Sequence, residues 1–149
     1  MTHNNMISQG TKVAILGLGI SGRAAVKYAL QCGAVVRVSD NRPVPTFLAD
    51  EEQFLRETGV AWEAGGHSYD FLCSADLVLL SPGVDLALPL ISSLRDAGVR
   101  MAGELAVAAG AITVPVVAIT GTNGKTTVTT LIGELLSASG RKVFVGGNI

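Results

Sequence analysis

Short apolar runs alternate along this chain with segments whose apolar residues recur at helical spacing. Period and length predict strands over Lys12–Leu16, 34–39, 60–63, Leu77–Leu80 and 99–101, separated by helices over 21–32, 50–58 and 88–97. Such alternation is the signature of a parallel α/β sheet, and runs as continuously apolar as Val13-Ala14-Ile15-Leu16 suit strands covered on both faces. An alanine-rich helix follows from Leu105, and Pro115 then opens a second apolar run over 116–120, with a helix expected over 126–139 and a strand over 142–145. The organisation expected is a polar flexible tail over 1–11, a first α/β domain over 12–113 ending near 111–114, and the beginning of a second α/β domain over 114–149.

Composition removes several function classes. The 149 residues carry a formal net charge of -1 with both signs scattered, which leaves no electrostatic footprint for nucleic acid or an anionic membrane. The window 105–124 has no charge, yet Gly110, Pro115 and the turn Gly121-Thr122-Asn123-Gly124 interrupt it, so it reads as a helix and a buried strand rather than a membrane span. Residues 1–10 lack the basic and apolar regions of a signal peptide. Cys32 and Cys73 have no spacing suited to metal or redox work, and a cytoplasmic protein with reduced thiols is expected.

Two glycine-rich turns carry the chemistry. In Thr120-Gly121-Thr122-Asn123-Gly124-Lys125-Thr126-Thr127 an apolar run enters a turn with one lysine and adjacent hydroxyls, then a helical pattern. Glycines let backbone N–H groups converge on phosphate oxygens, the helix adds its positive end, Lys125 adds a mobile charge, and Thr126 offers a hydroxyl to Mg²⁺. The general phosphate-loop pattern has a glycine where Ile119 stands, so a shorter loop is implied. The other turn, Gly17-Leu18-Gly19-Ile20-Ser21-Gly22, follows the first strand and opens a helix, and Asp40 ends the next strand. Alone, that arrangement suggests a dinucleotide such as NAD, with Asp40 on a ribose hydroxyl.

The tight loop Thr-Gly-Thr-Asn-Gly-Lys-Thr-Thr at 120–127, flanked by Val128-Thr129-Thr130-Leu131 and Val145-Gly146-Gly147-Asn148-Ile149, resembles that of the Mur ligases, ATP-dependent amide-forming enzymes of peptidoglycan precursor synthesis. Gly17–Gly22, Ser39-Asp40-Asn41-Arg42 and Leu80-Ser81-Pro82-Gly83-Val84 resemble the branch that adds D-glutamate to UDP-N-acetylmuramoyl-L-alanine. This resemblance implies a Rossmann-like first domain that holds the uridine diphosphate of the substrate, followed by a P-loop ATP-binding domain. Gly19, Ile20 and Ser21 would serve the diphosphate through backbone N–H groups, Asp40, Asn41 and Arg42 the uridine, Ser81 and Gly83 a further approach, and Asn148 the sugar-diphosphate. ATP and Mg²⁺ are the implied cofactors: Gly121, Thr122, Asn123, Gly124, Lys125, Thr126 and Thr127 would bind ATP, with Lys125 and Thr126 catalytic and Thr126 a metal ligand. The implied reaction passes through an acyl phosphate that the amine of D-glutamate attacks.

Such ligases have three domains, so the chain reads as an N-terminal portion, inactive alone. The whole ligase is expected to be a monomer, whereas apolar surface left bare beyond Pro115 favours self-association of this portion. A sibling Mur ligase, a nicotinamide-dependent oxidoreductase and a non-catalytic nucleotide-binding module remain as alternatives. His67, in a glycine-rich loop, reads as solvated or locally hydrogen-bonded, Trp62 as core, and Asp50-Glu51-Glu52 as complementing a helix dipole.

Overall fold

The computed structural model describes residues 6–147. They divide into two compact units at Ile112/Thr113. The first runs β1 (Lys12–Leu16), α1 (Ile20–Gln31), β2 (Val35–Asp40), α2 (Ala49–Thr58), β3 (Ala61–Ala64), α3 (Tyr69–Leu72), β4 (Leu77–Leu80), α4 (Pro89–Asp96), β5 (Arg100–Gly103) and α5 (Glu104–Ala111). All strand pairs are parallel, in the order β3-β2-β1-β4-β5. A Rossmann-like α/β sheet is therefore present, with β1 central and the order reversing on either side of it.

Strand period explains how one short run supports two cores. Successive side chains point to opposite faces. Val13 and Ile15 join Val26 and Ala29 of α1, Phe54 and Leu55 of α2 and Val107 of α5 on one face. Ala14 and Leu16 join Leu72 of α3 and Ile91 and Leu94 of α4 on the other. Burial on both faces is why β1 and β4 read as unbroken apolar stretches.

Most boundaries in the first unit move by a residue from the sequence reading, and three of its features depart from it more. Ile7, assigned to the flexible tail, is fully buried, and the turn after it is tied by the Gly10 N–H to the Gly33 carbonyl. Trp62, expected in the core, is 42% exposed and tilts against Phe47, because β3 is an edge strand with one neighbour. Helix α3 is too short to register as a period.

The second unit holds α6 (Lys125–Ala138). The strands expected over 116–120 and 142–145 are not formed among the described residues. A parallel strand exists only through its ladder, and neither segment finds one here. Val116, Val117, Leu131, Leu135 and Phe144 are correspondingly exposed. Among the described residues no helix is long and apolar enough to cross a membrane.

The first glycine turn shows what its spacing is for. A Cβ on Gly22 would stand 1.9 Å from the Gly17 carbonyl oxygen, whereas one on Gly19 would meet open space. Gly22→Ala is expected to cost about 2–3 kcal/mol through a backbone collision, while Gly19→Ala stays within about 0.5 kcal/mol. Urea unfolding of the two variants checks this, and equal effects would contradict it.

Candidate substrate cleft and phosphate loop

The carboxyl ends of parallel strands face one edge, and residues distant in sequence meet there. In the first unit a cleft of about 710 Å³ opens at this edge. Gly19, Ile20 and Ser21 enter it from the β1–α1 turn, Asp40, Asn41 and Arg42 from the end of β2, and Ser81 and Gly83 from the end of β4. All eight residues assigned to the uridine substrate in this unit therefore share one cavity. Its wall also includes His67 and, from the segment leading into α4, Asp85, Leu88, Pro89 and Leu90, none of which the sequence reading gave a role.

The glycine turn is held from three sides. Gly17 N–H donates to the Ser39 carbonyl at 2.8 Å, Ser81 N–H to the Leu16 carbonyl at 3.2 Å, and Leu18 N–H to Asp40 Oδ2 at 2.7 Å. Gly17 itself takes φ +93°, a conformation that favours glycine. Beyond the turn, Arg23 N–H closes the first turn of α1 on the Gly19 carbonyl, and among the described residues no side chain caps the N–H groups before it. An uncapped helix N-terminus on a cleft suits an anion.

Asp40 is 4% exposed and fully engaged. Besides Leu18 N–H, it accepts from Arg42 N–H at 2.8 Å, Nε at 3.0 Å and Nη2 at 3.0 Å. Arg42 continues to buried Glu51, at 3.0 Å from Nη2 to Oε1 and 3.2 Å from Nη1 to Oε2, and its guanidinium lies 5.1 Å from the Phe47 ring centre. Glu51 in turn accepts from Leu48 N–H at 2.9 Å, so it fastens the start of α2 rather than merely complementing its dipole. Burial pushes the Asp40 carboxyl up, but bonds from Arg42 and Leu18 outweigh it and hold the group below its ordinary range. The same two carboxylates raise the Arg42 pKa, leaving it a permanent cation at the cleft.

Beside this network, Ser39 Oγ lies 2.7 Å from Glu63 Oε1 and 2.6 Å from His67 Nδ1. Ser68 N–H donates to the same Glu63 oxygen at 2.9 Å, and its hydroxyl bonds Oε2. Burial pushes the Glu63 carboxyl up, while bonds from Ser68 and Ser39 bring it below its usual value. For His67, burial pushes the imidazole below its ordinary value despite the nearby Glu63 and Asp40 charges. The local bonding read for His67 is present, and so is a place in the cleft wall. Its position just past a strand end, the rule that singled out Ser81, was the available signal.

In the second unit, Gly121 and Gly124 take φ +155° and +75°, and α6 starts at Lys125 with no side-chain cap. Lys125 Nζ donates to the Gly121 carbonyl at 2.5 Å, folding the ammonium over its own loop. Thr122, Asn123, Thr126 and Thr127 are exposed beside it. Asn148 lies outside the described residues.

Residues 11–103 match the family model for the N-terminal domain of Mur ligases of the MurD-like kind. The chain belongs to the MurD-like Mur ligase family. Among curated Mur ligase relatives, it is 53% identical over 98% of its length to the UDP-N-acetylmuramoylalanine--D-glutamate ligase of Desulfotalea psychrophila, covering 32% of that protein. It is 46% identical over 95% of its length to the enzyme of the same name from Pectobacterium atrosepticum, covering 31% of it. The chain thus spans about a third of the length of the curated relatives it matches. Among solved structures, the murein peptide ligase of Psychrobacter arcticus aligns over 88% of this chain and 27% of its own, with TM-score 0.60 and 27% identity. The UDP-N-acetylmuramate-alanine ligase of Thermotoga maritima aligns over 93% and 32%, with TM-score 0.56 and 26% identity.

For this Mur ligase domain, the Asp40 pKa has a definite consequence for stability. A depressed carboxyl pKa contributes stability above the unfolded value of 3.8, lost as pH falls through the lower folded value. Asp40→Asn is expected to cost about 2 kcal/mol near neutral pH, with the gap to wild type closing below 3.8. Denaturant midpoints measured across pH check it; a gap independent of pH would contradict the assignment.

Proposed function

We propose that this chain forms the substrate-entry part of an ATP-dependent carboxylate–amine ligase that adds D-glutamate to UDP-N-acetylmuramoyl-L-alanine, a cytoplasmic reaction of peptidoglycan precursor synthesis. The observation carrying this reading is the meeting of Gly19–Ser21, Asp40–Arg42 and Ser81–Gly83 in one cleft, together with the name borne by the relatives. The uncapped N–H groups at the start of α1, among them those of Ile20 and Ser21 in the cleft wall, receive the diphosphate. Arg42 supplies fixed positive charge and Asn41 a neutral amide for the uridine side. Asp40 acts by holding both the glycine turn and Arg42 in place. Ser81 and Gly83 close the opposite wall.

Asp40 also weighs against a nicotinamide dinucleotide. The carboxylate that would accept from a ribose hydroxyl already accepts from Leu18 and Arg42. A cation beside it suits phosphate-rich ligands.

Residues 121–127 fit ATP with Mg²⁺. Glycines at positive φ allow backbone N–H groups to turn inward, and the helix behind them is uncapped. When bound, ATP supplies the phosphoryl group that activates the substrate carboxylate for attack by the amine of D-glutamate. Gly121, Thr122, Asn123, Gly124 and Thr127 line the phosphates, Lys125 neutralises charge on the group in transfer, and the Thr126 hydroxyl holds Mg²⁺. The family resemblance assigns Asn148, outside the described residues, to the sugar-diphosphate.

Two measurements test this. UDP should bind the chain more tightly than NAD, with amide shifts concentrated at 17–22, 40–42 and 81–83; tighter binding of NAD would remove the substrate assignment. In a ligase of the relatives' full length carrying this chain, Lys125→Ala should lower the single-turnover rate by at least about 100-fold while UDP-substrate affinity stays within about 2-fold. Equal loss of both would contradict separate ATP and UDP sites.

A further inference from the structure

We propose that His67 reads the nucleobase, accepting the imide N–H of a uracil ring at Nε2; this rests on the assignment of the cleft to a uridine diphosphate. Glu63, an ionised carboxylate, is an acceptor only, so the single hydroxyl hydrogen of Ser39 goes to it across 2.7 Å. The Ser39 oxygen then accepts from His67 Nδ1 at 2.6 Å. With its hydrogen on Nδ1, the neutral ring carries its lone pair on Nε2. Ser68 holds Glu63 from the far side through both its N–H and its hydroxyl, which keeps the relay in one orientation. Burial favours the neutral ring against the pull of Glu63 and Asp40. Among the described residues nothing bonds Nε2, and His67 lines the cleft.

Position along the sheet edge supplies the ligand. The order β3-β2-β1 sets the anion-binding turn after β1, the Asp40–Arg42 segment after β2 and His67 after β3. The His67 ring reaches back to Ser39 on β2, so it stands between one and two strand spacings, about 5–10 Å, from the anion-binding turn, within the reach of a nucleoside diphosphate from phosphate to base. Uracil presents N–H at N3, which a lone pair at Nε2 accepts. Cytosine presents a lone pair there instead, and two acceptors facing each other repel. A tautomer fixed from behind is thus a device for telling the two pyrimidines apart.

The test uses the 149-residue chain, with UDP and CDP as probes and ¹⁵N-imidazole spectra of His67. Expected are an Nδ1–H tautomer at neutral pH and an affinity for UDP about 10-fold above that for CDP. In His67→Leu, with its amide dispersion retained, the preference should fall to within about 2-fold. An Nε2–H tautomer, equal affinities in the wild type, or a preference that survives in His67→Leu would each overturn the role of His67 while leaving the uridine cleft standing. Binding of neither nucleotide would remove the cleft assignment itself.

Discussion

The buried carboxylate of Asp40 is the contact on which the cleft depends. It stands where β2 ends, and from there it holds the backbone of the glycine turn after β1 and the guanidinium that reaches Glu51 at the head of α2. Three segments with no covalent reason to be neighbours thereby share one anchor. A buried charge is costly unless paired and hydrogen-bonded, and Asp40 has both forms of compensation. The result is a cleft rim whose positive group is fixed before any ligand arrives.

Around that anchor, sheet topology does the gathering. Reversal of strand order at β1 opens a crevice beyond its carboxyl end, and each parallel strand delivers its following turn to the same edge. The chemistry of the cleft is then distributed by strand: a helix N-terminus after β1, a cation after β2, the hydrogen-bonded His67 after β3 and a polar turn after β4. No one of these turns would be distinctive alone.

The loop proposed to bind ATP follows different logic. Its conformation is local, set by Gly121 and Gly124 and by Lys125 folding back on the Gly121 carbonyl, and it needs no sheet contact to take shape. The segments flanking it do need one. Without ladder partners among the described residues, 116–120 and 142–145 remain apolar chain rather than strands, although their composition suits a sheet interior.

What the sequence determined by itself was whatever depends on short-range pattern: the order of the strands and longer helices in the first unit, the two glycine turns, and the residues at three strand ends that enter the cleft. Period and glycine spacing are local properties, and local properties survive without a partner. Only the tertiary structure decided the rest. Trp62 is exposed because β3 lies at the sheet edge, and Ile7 is buried because the core reaches past the polar tail. Asp40 accepts four hydrogen bonds because Leu18 and Arg42 reach it through space. His67 meets Ser39 Oγ, itself bonded to Glu63 on the adjacent strand, because the turn after β3 folds back on β2. A side chain's hydrogen-bond partners come from neighbours across the sheet, and pairing across the sheet is long-range information that no local pattern carries.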